Sequence, residues 1–179
     1  PQRYVFRYFP DAVIVNAQAI KDELINDKLC PEEKIHVIYN GYDFPAEYES
    51  YQNGLPSGKF VFAAAGRLSS QKGYDLLLQA CEILKKRTNN FFLAIAGEGP
   101  EHEEYQNFIN SRNLQENVSL TGRIDNTRGF FAASDAVIIP SRSEGIPNTL
   151  FEAWSVKKPV LASKEAGIPE AVSHNKNGF

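Results

Sequence analysis

Short apolar runs alternate with amphipathic stretches along the second two thirds of the chain. We predict strands at residues 59–65, 91–96, 118–121, 136–139 and 159–162, separated by helical stretches. Most of these runs are apolar at successive positions, which is typical of strands covered on both faces of a sheet. The alternation therefore predicts an α/β fold in which helices cover both faces of a doubly wound parallel sheet.

The helix that opens near Gly73 shows this pattern clearly. Its apolar positions form one stripe suited to packing on a sheet: Tyr74, Leu77, Leu78, Cys81 and Leu84. Nearer the start of the chain, residues 12–15 and 35–39 predict two strands, with a helix between them that Asn16 can cap and that continues through Leu29. Residues 41–58 lack apolar periodicity, so we predict a linker and a domain boundary there.

Composition excludes several classes of function. The net charge of −3 and the isoelectric point near 5.7 lack the basic excess of a nucleic-acid-binding protein. The apolar runs are shorter than the ~20 residues of a membrane-spanning helix. The two cysteines have no metal-binding or disulfide spacing, so we expect no metal site and a reducing, cytoplasmic location. Because the sequence contains no Met, we also expect it to be a piece of a longer protein.

Ligands of doubly wound sheets bind beyond the carboxyl ends of the strands, so the loops there carry the candidate chemistry. The first loop has Gly66 and Gly73 at its ends and two cations, Arg67 and Lys72, between them. Glycine allows close backbone approach, and Arg and Lys form charge-assisted hydrogen bonds to phosphate oxygens. This loop suits a diphosphate, although two solvated surface cations would have the same sequence.

Two further loops give weaker signals. Residues 97–100 contain Gly97 but lack the third glycine of a dinucleotide-binding motif, so a plain turn is an equal alternative. Arg123 and Ile124 follow the next predicted strand, where they could line a planar base or belong to an ordinary loop.

The loop after the fourth predicted strand is the most informative. Pro147 suits the first turn of a helix, where its missing N–H costs nothing, so we predict a helix start beside Gly145. The amides of Asn148, Thr149 and Leu150 then have no partner within the helix. Together with the positive end of the helix dipole they form an anion site suited to phosphate.

Two carboxylates flank this predicted helix start, Glu144 just before it and Glu152 on the helix. Glu152 lies about 6 Å along the helix axis from Asn148, at 1.5 Å per residue. Because carboxylates accept hydrogen bonds from hydroxyl groups, the pair fits a ligand with phosphate and polyol parts, such as a sugar nucleotide. Alternatively, Glu144 is a solvated loop residue and Glu152 a favourable acid near a helix start.

With these residues the chain resembles the retaining GT-B glycosyltransferases of the large group that includes sucrose synthases and mannosyltransferases. Glu144 and Glu152, separated by seven residues, look like the E-x7-E motif of that group. The resemblance covers roughly residues 12–179. Its further motifs follow in the expected order at residues 40–43, 66–73, 97–100, 140–141, 144–145, 152–153 and 167–170.

The resemblance implies roles for the candidate residues. Arg67 and Lys72 would bind the donor diphosphate and, with Glu144, serve catalysis. Glu144 would contact the hydroxyls of the transferred sugar, and Glu152 the nucleotide ribose. The amides at residues 148–150 would bind the phosphates.

The remaining implied positions line the donor site. Arg123 and Ile124 would lie along the base, while Gly66, Gly97 and Gly145 would allow the backbone to approach the donor. The donor would be a UDP-, GDP- or ADP-sugar, and no cofactor or metal is implied.

The same resemblance implies a domain plan and an activity. Residues 1–45 would be a remnant of an N-terminal, acceptor-side domain, residues 46–58 a linker, and residues 59–179 a Rossmann-like donor domain that is incomplete at its C-terminus. The intact enzyme would transfer a sugar to a hydroxyl acceptor in glycan, polysaccharide or glycolipid synthesis, with retention at the anomeric carbon. We expect the piece alone to be inactive.

Alternatives with the same architecture stay open. A sugar-nucleotide 2-epimerase would use the same donor, a phosphorylase would need a pyridoxal-phosphate lysine, and a non-catalytic sensor would only bind the sugar nucleotide. A peripheral contact with the inner face of a membrane, through other parts of the protein, is also left open.

Overall fold

The computed structural model of the chain describes residues 10–51 and 54–179. Residues 1–9 of the predicted acceptor-side remnant and residues 52–53 of the predicted linker lie outside them. The described strands are β1 (Val13–Val15), β2 (Ile35–Val37), β3 (Phe60–Ala65), β4 (Phe91–Ala96), β5 (Val118–Gly122), β6 (Ala136–Ile139) and β7 (Val160–Ala162). The described helices are α1 (Gln18–Asn26), α2 (Tyr74–Lys85), α3 (His102–Ser111), α4 (Thr127–Ala132), α5 (Asn148–Ser155) and α6 (Ile168–Ala171).

Strands β3 to β7 form one parallel sheet in the order β5-β4-β3-β6-β7. The chain moves outward from β3 through β4 to β5 and then crosses back to β6 on the other side of β3. This reversal makes the gap between the carboxyl ends of β3 and β6 the switch point of the sheet, where doubly wound folds bind ligands.

Helices cover both faces of the sheet, as predicted. On one face, α2 and α3 contribute Tyr74, Leu78 and Ile109 to a buried core. On the other, α4 and α5 bury Phe131 and Leu150 against the strands. The apolar stripe predicted for α2 is confirmed, with Leu84 only partly buried at its end.

The predicted limits of several elements are off by one to three residues. β3 and β7 each begin one residue later than predicted, at Phe60 and Val160. Helix α1 ends at Asn26 and does not reach Leu29, because Lys28 adopts a left-handed backbone with a φ of 54°. A left-handed residue stops an α-helix, so the chain turns before the predicted end.

Asn16 does not cap α1, and that prediction is wrong. The N-terminal amides of α1 are instead capped by a residue far along the chain: the Glu170 carboxylate accepts hydrogen bonds from the backbone N–H groups of Gln18 and Ala19, both at 2.8 Å. The hydroxyl of Tyr39 donates to the same carboxylate at 3.0 Å. Strands β1 and β2, with α1, are thereby fastened to the end of the five-stranded sheet that carries α6.

The segment between β2 and β3 contains no helix or strand among its described residues, in keeping with the predicted linker composition. It nevertheless packs on the larger sheet. Arg128 of α4 lies over the rings of Phe44 and Tyr48 and donates to the carbonyl of Pro45 at 2.8 Å. Tyr51 contacts the buried ring of Phe130. This part of the predicted linker is therefore anchored to α4.

None of the helices in the described ranges combines the length and the apolar character that crossing a bilayer requires. The longest helix, α2, has 12 residues.

Two loops at the carboxyl ends of β3 and β4 meet through glycine. Gly97 has a φ of 143°, and a Cβ there would lie 1.9 Å from the carbonyl oxygen of Gly66. Only a residue without a side chain allows this approach. The glycine that the sequence analysis singled out for ligand approach thus lets one loop pack on its neighbour.

We expect Gly97→Ala to lower the free energy of unfolding by about 3 kcal/mol, because it combines backbone strain with a clash against a carbonyl. Gly58→Ala is the matched control. Gly58 has a φ of 82° with open space around a Cβ, so this variant should lose only the ~1 kcal/mol of the left-handed backbone. Urea unfolding measures both losses. Equal losses in the two variants would show that the contact with Gly66 does not matter.

Candidate functional site

A cavity of about 300 Å³ opens at the carboxyl ends of β3 and β6, at the switch point of the sheet. Its lining comes from the loop after β3, the loop after β6, the start of α5 and one residue after β1: Ala65, Gly66, Lys72, Glu144, Gly145, Ile146, Pro147, Asn148, Thr149 and Asn16. The loops selected from the sequence for their position beyond the strand ends thus meet around one space.

A charged pair crosses this cavity. Lys72 ends a 3-10 turn over residues 70–72, and its ammonium group donates a hydrogen bond to the Glu144 carboxylate. The buried hydroxyl of Ser141 donates to the other carboxylate oxygen at 2.7 Å. The side chains of Lys72 and Glu144 are only 22% and 15% exposed. The carboxylate is therefore fixed from two sides, and a cation is held at the cavity wall.

The start of α5 supplies hydrogen-bond donors to the same space. No side chain caps this helix, and within the described residues the backbone N–H groups of Asn148 and Thr149 have no hydrogen-bond partner. Free amides at a helix N-terminus, aligned with the helix dipole, favour an anion. The cavity thus combines a lysine and two amides with one carboxylate.

Two details of the predicted helix start are wrong. Pro147 does not lie in the first turn; it is extended, with a ψ of 138°, and immediately precedes the helix, which begins at Asn148. The amide of Leu150 is also not free, because it donates to the carbonyl of Pro147 at 3.1 Å. The Leu150 side chain is fully buried in the core. Leu150 therefore holds the helix on the sheet, and the anion site is limited to the two preceding amides.

Gly145 lies where the small β1–β2 unit touches the loop after β6. A Cβ on this residue would lie 1.9 Å from the amide oxygen of Asn16. The Asn16 side-chain amide donates to the carbonyl of Ile146 at 3.2 Å. Gly145 lines the cavity, as the sequence suggested, but what it admits in this structure is the side chain of Asn16.

Besides Leu150 and Glu152, four predicted residues do not line the cavity. Arg67 follows Gly66 but is exposed, and within the described part of the chain it makes no ion pair or side-chain hydrogen bond. Arg123 is exposed beside Asp125, at 3.7 Å. Ile124 packs partly against the core, and Gly97 packs on Gly66. The roles of these residues toward a diphosphate or a base stay predictions.

Glu152 lies apart from Glu144, on α5 about one turn beyond the start of the helix at Asn148. It does not line the cavity but is half-buried beside Tyr42 and Arg128. Burial raises the pKa of Glu152, and the positive charge of Arg128 only partly offsets the increase. Tyr42 stacks on Phe151 with 4.9 Å between ring centroids. The two carboxylates thus occupy different environments, and they do not flank this one cavity.

Two residues of the site, Asn16 and Ser141, were not predicted from the sequence. Asn16 was assigned to a helix cap, yet it follows β1 directly and so obeys the same strand-end rule that selected the other loops. Ser141 follows β6 in the same way and fixes Glu144 through its hydroxyl. Position beyond a strand end would have selected both; only the structure shows which carboxylate Ser141 reaches.

The fold and the cavity define a doubly wound, Rossmann-like α/β domain, and a lysine, two backbone amides and a carboxylate line the cavity at its switch point. The family described as Glycosyl transferases group 1 matches residues 46–179. The chain belongs to this family.

The relatives of the chain include named biosynthetic glycosyltransferases. The chain is 33% identical to LpsD, a lipopolysaccharide core biosynthesis glycosyltransferase of Rhizobium meliloti, over 69% of this chain and 35% of LpsD. It is 30% identical to AmsK, an amylovoran biosynthesis glycosyltransferase of Erwinia amylovora, over 84% of this chain and 39% of AmsK. The chain thus spans well under half the length of these two relatives.

Solved structures share the fold. HepE of Anabaena, in complex with UDP and glucose, has a TM-score of 0.84 and 28% identity over 99% of this chain and 50% of HepE. TarM of S. aureus has a TM-score of 0.78 and 25% identity over 94% of this chain and 33% of TarM. The predicted fold class, a Rossmann-like domain of a GT-B glycosyltransferase, is confirmed.

We expect Glu152→Gln to stabilise the protein more at pH 7 than at pH 4. The raised pKa of Glu152 means that its favourable contribution is complete below the ordinary carboxyl pKa of about 4.3 and is lost as the pH rises through the folded-state value. Glutamine removes the cost of a buried charge at neutral pH. Urea unfolding of both proteins across this pH range measures the difference.

Glu170→Gln is the control with the opposite sign. Burial raises the pKa of Glu170, but hydrogen bonds from the amides of Ala19 and Gln18 and from Tyr39 outweigh it, so the pKa is lowered. Its contribution is present above the ordinary value and is lost as the pH falls through the lowered one. Glu170→Gln should therefore destabilise the protein at pH 7, and the difference in the free energy of unfolding between the variant and the unmodified protein should shrink as the pH falls. A pH-independent effect of Glu152→Gln would contradict the burial of that charge.

Proposed function

We propose that this cavity binds the diphosphate and sugar of a nucleoside diphosphate sugar, and that the chain is the donor-binding part of a retaining glycosyltransferase that acts on a hydroxyl acceptor. One observation carries the proposal: the Lys72 ammonium, the free amides of Asn148 and Thr149, and the Glu144 carboxylate all face the same space. A ligand with adjacent anionic and polyol parts matches this arrangement.

The phosphate end is met by positive groups on two elements. Lys72 offers a mobile ammonium from the loop after β3, while the two amides approach from the start of α5. Arg67, exposed on the same loop, can add a planar fork for phosphate oxygens. In the transfer reaction these donors would stabilise the charge that develops on the leaving diphosphate. The proposed chemistry therefore requires no metal ion.

The sugar end is met by Glu144. Its carboxylate accepts hydrogen bonds from Lys72 and from Ser141. When a diphosphate draws the ammonium away, the Ser141 hydroxyl still holds one carboxylate oxygen, which leaves the other to accept a hydrogen bond from a sugar hydroxyl. Glu144 then positions the sugar. We assign it no role as nucleophile.

The nucleoside end extends along α5. Glu152, one turn beyond the free amides, would accept hydrogen bonds from the ribose hydroxyls, and such bonds would offset the burial that raises its pKa. Arg123 and Ile124 would line the base. HepE was solved with UDP-glucose at 28% identity over 99% of this chain, so a uridine donor is the first to test. The polysaccharide synthesis of the relatives suggests a glycan acceptor.

We expect Lys72→Ala to weaken binding of UDP-glucose by about tenfold to a hundredfold, the cost of losing a hydrogen bond to a charged group. Isothermal titration of the full-length protein measures the affinity, with GDP- and ADP-sugars in parallel. Lys59→Ala is the matched control, because the Lys59 ammonium donates to the carbonyl of Glu116 at the amino ends of the strands, away from the cavity. An unchanged affinity in Lys72→Ala would overturn the phosphate assignment.

Product analysis then tests the reaction. With a bound donor and a glycan acceptor, the full-length protein should yield a glycoside that keeps the anomeric configuration of the donor, and Glu144→Gln should slow this transfer more than it weakens donor binding. An epimerised donor without transfer would identify an epimerase. Binding with no turnover on any acceptor would identify a sensor.

A further inference from the structure

Beside the cavity, two hydrogen bonds join the loop after β3 to the loop after β6. The backbone N–H of Arg142 donates to the carbonyl of Gln71 at 2.8 Å. The side-chain amide of Gln71 donates in return to the carbonyl of Ser143 at 2.7 Å. Gln71 precedes Lys72, and Ser143 precedes Glu144. These two bonds thus lie one residue away from the charged pair of the cavity.

The Arg142 side chain extends this junction to α2. Its guanidinium group donates to both carboxylate oxygens of Asp75, at 2.6 Å each, and to the carbonyl of Ser70 at 2.7 Å. The hydrogen bonds from Arg142 outweigh the effect of burial and hold the pKa of Asp75 below its ordinary value. A bidentate pair fixes orientation as well as distance. Arg142 therefore bonds to the 3-10 turn that carries Lys72, through Ser70, and to the start of α2 that follows the turn, through Asp75.

Arg142 and Asp75 do not line the cavity, so their contacts serve the cavity only through other residues. Arg142 lies two residues before Glu144, and Asp75 three residues after Lys72. Lysine loses much rotamer freedom when it is held in one place. A turn that is fixed relative to the facing loop lowers this cost, because the backbone already directs Lys72 toward Glu144.

We propose that Arg142 is a positioning residue: with Asp75 it locks the turn at residues 70–72 against the loop after β6 and thereby sets Lys72 for the donor diphosphate. This inference rests on the proposed function of the cavity. It assigns Arg142 no contact with the donor. The planar guanidinium is essential, because a lysine at this position could not bond both oxygens of Asp75 and the carbonyl of Ser70 in one plane.

A double-mutant cycle tests whether Arg142 acts through Lys72. UDP-glucose affinity is measured by titration for the full-length protein and for Arg142→Ala, Lys72→Ala and the double variant. We expect Arg142→Ala to weaken binding by about tenfold, a coupling typical of residues in one network, and to add almost nothing in the Lys72→Ala background. Arg142→Lys should lose most of the same affinity. Additive losses from Arg142→Ala and Lys72→Ala would overturn the proposal.

Arg112→Ala is the matched control. Arg112 lies 3.7 Å from Glu82, in a partly exposed pair between the ends of α3 and α2 away from the cavity. It should leave the donor affinity unchanged. Asp75→Asn supplies a second test with little change in size, should Arg142→Ala fail to fold: it should weaken the affinity and lose its effect in the Lys72→Ala background in the same way.

A ligand-free measurement separates this inference from the proposed function. In brief labelling with acetic anhydride followed by mass spectrometry, Arg142→Ala should accelerate acetylation of Lys72 several-fold, while Lys59 reacts as before. Unchanged labelling of Lys72 would overturn the positioning role even if the donor binds. If the unmodified protein binds no sugar nucleotide, the proposed function fails, and the labelling result still decides whether Arg142 fixes Lys72.

Discussion

The close contact between Gly73 and Pro140 determines how near the loops after β3 and β6 can come. A Cβ on Gly73 would lie 2.1 Å from the Pro140 carbonyl oxygen, and Gly73 itself has a φ of 68°. Both conditions require glycine. Because the backbones meet here, Gln71 reaches Ser143 and Lys72 reaches Glu144. The electrostatics of the cavity therefore depend on one residue that has no side chain.

In the proposed function, the protein would meet an anion with local charge and not with a basic surface. The chain carries a net charge of −3, so long-range attraction does little to bring a diphosphate to the site. Lys72 is instead held in a partly buried place, where removing a lone ammonium from water would be costly. Glu144 supplies the opposite charge, and Ser141 donates a further hydrogen bond to that carboxylate. A diphosphate can replace Glu144 as the partner of Lys72 without leaving the lysine unpaired.

The sheet and its helices could be predicted because their signals are local. Continuous apolar runs predicted the exact first and last residues of β4 and β6, and the predicted apolar stripe of α2 matches its buried face. The loops of the site followed from topology, since parallel strands bring their carboxyl ends together. The placement of Lys72, Glu144, Asn148 and Thr149 around one cavity agrees with that reasoning.

Features whose partner lies far along the chain could not be predicted. The cap of α1 comes from Glu170, 152 residues after Gln18, and no property of Asn16 indicates that it will bond to Ile146 instead. Likewise, the hydrogen bonds from Arg142 to Asp75 join residues that are 67 positions apart in the sequence. The position of Pro147 just before α5, and the bond from Leu150 to its carbonyl, depend on how the buried Leu150 seats the helix on the sheet.

The seven residues between Glu144 and Glu152 explain why one motif gives two different carboxylates. The spacing crosses a junction: Glu144 belongs to the loop, Pro147 is extended, and Glu152 lies in the second turn of α5. In an uninterrupted helix, residues eight apart would share a face about 12 Å from each other along the axis. Here the loop instead places Glu144 beside Lys72, with which it forms an ion pair. Glu152 remains on the helix near Tyr42, where burial raises its pKa. Glu144 is held by the ammonium of Lys72, which a phosphate could bind in its place. Glu152 lacks an equally close cation, so hydrogen bonds from neutral donors such as hydroxyl groups would stabilise it most. The break between loop and helix would therefore allow the two acids to contact different parts of the proposed sugar-nucleotide donor.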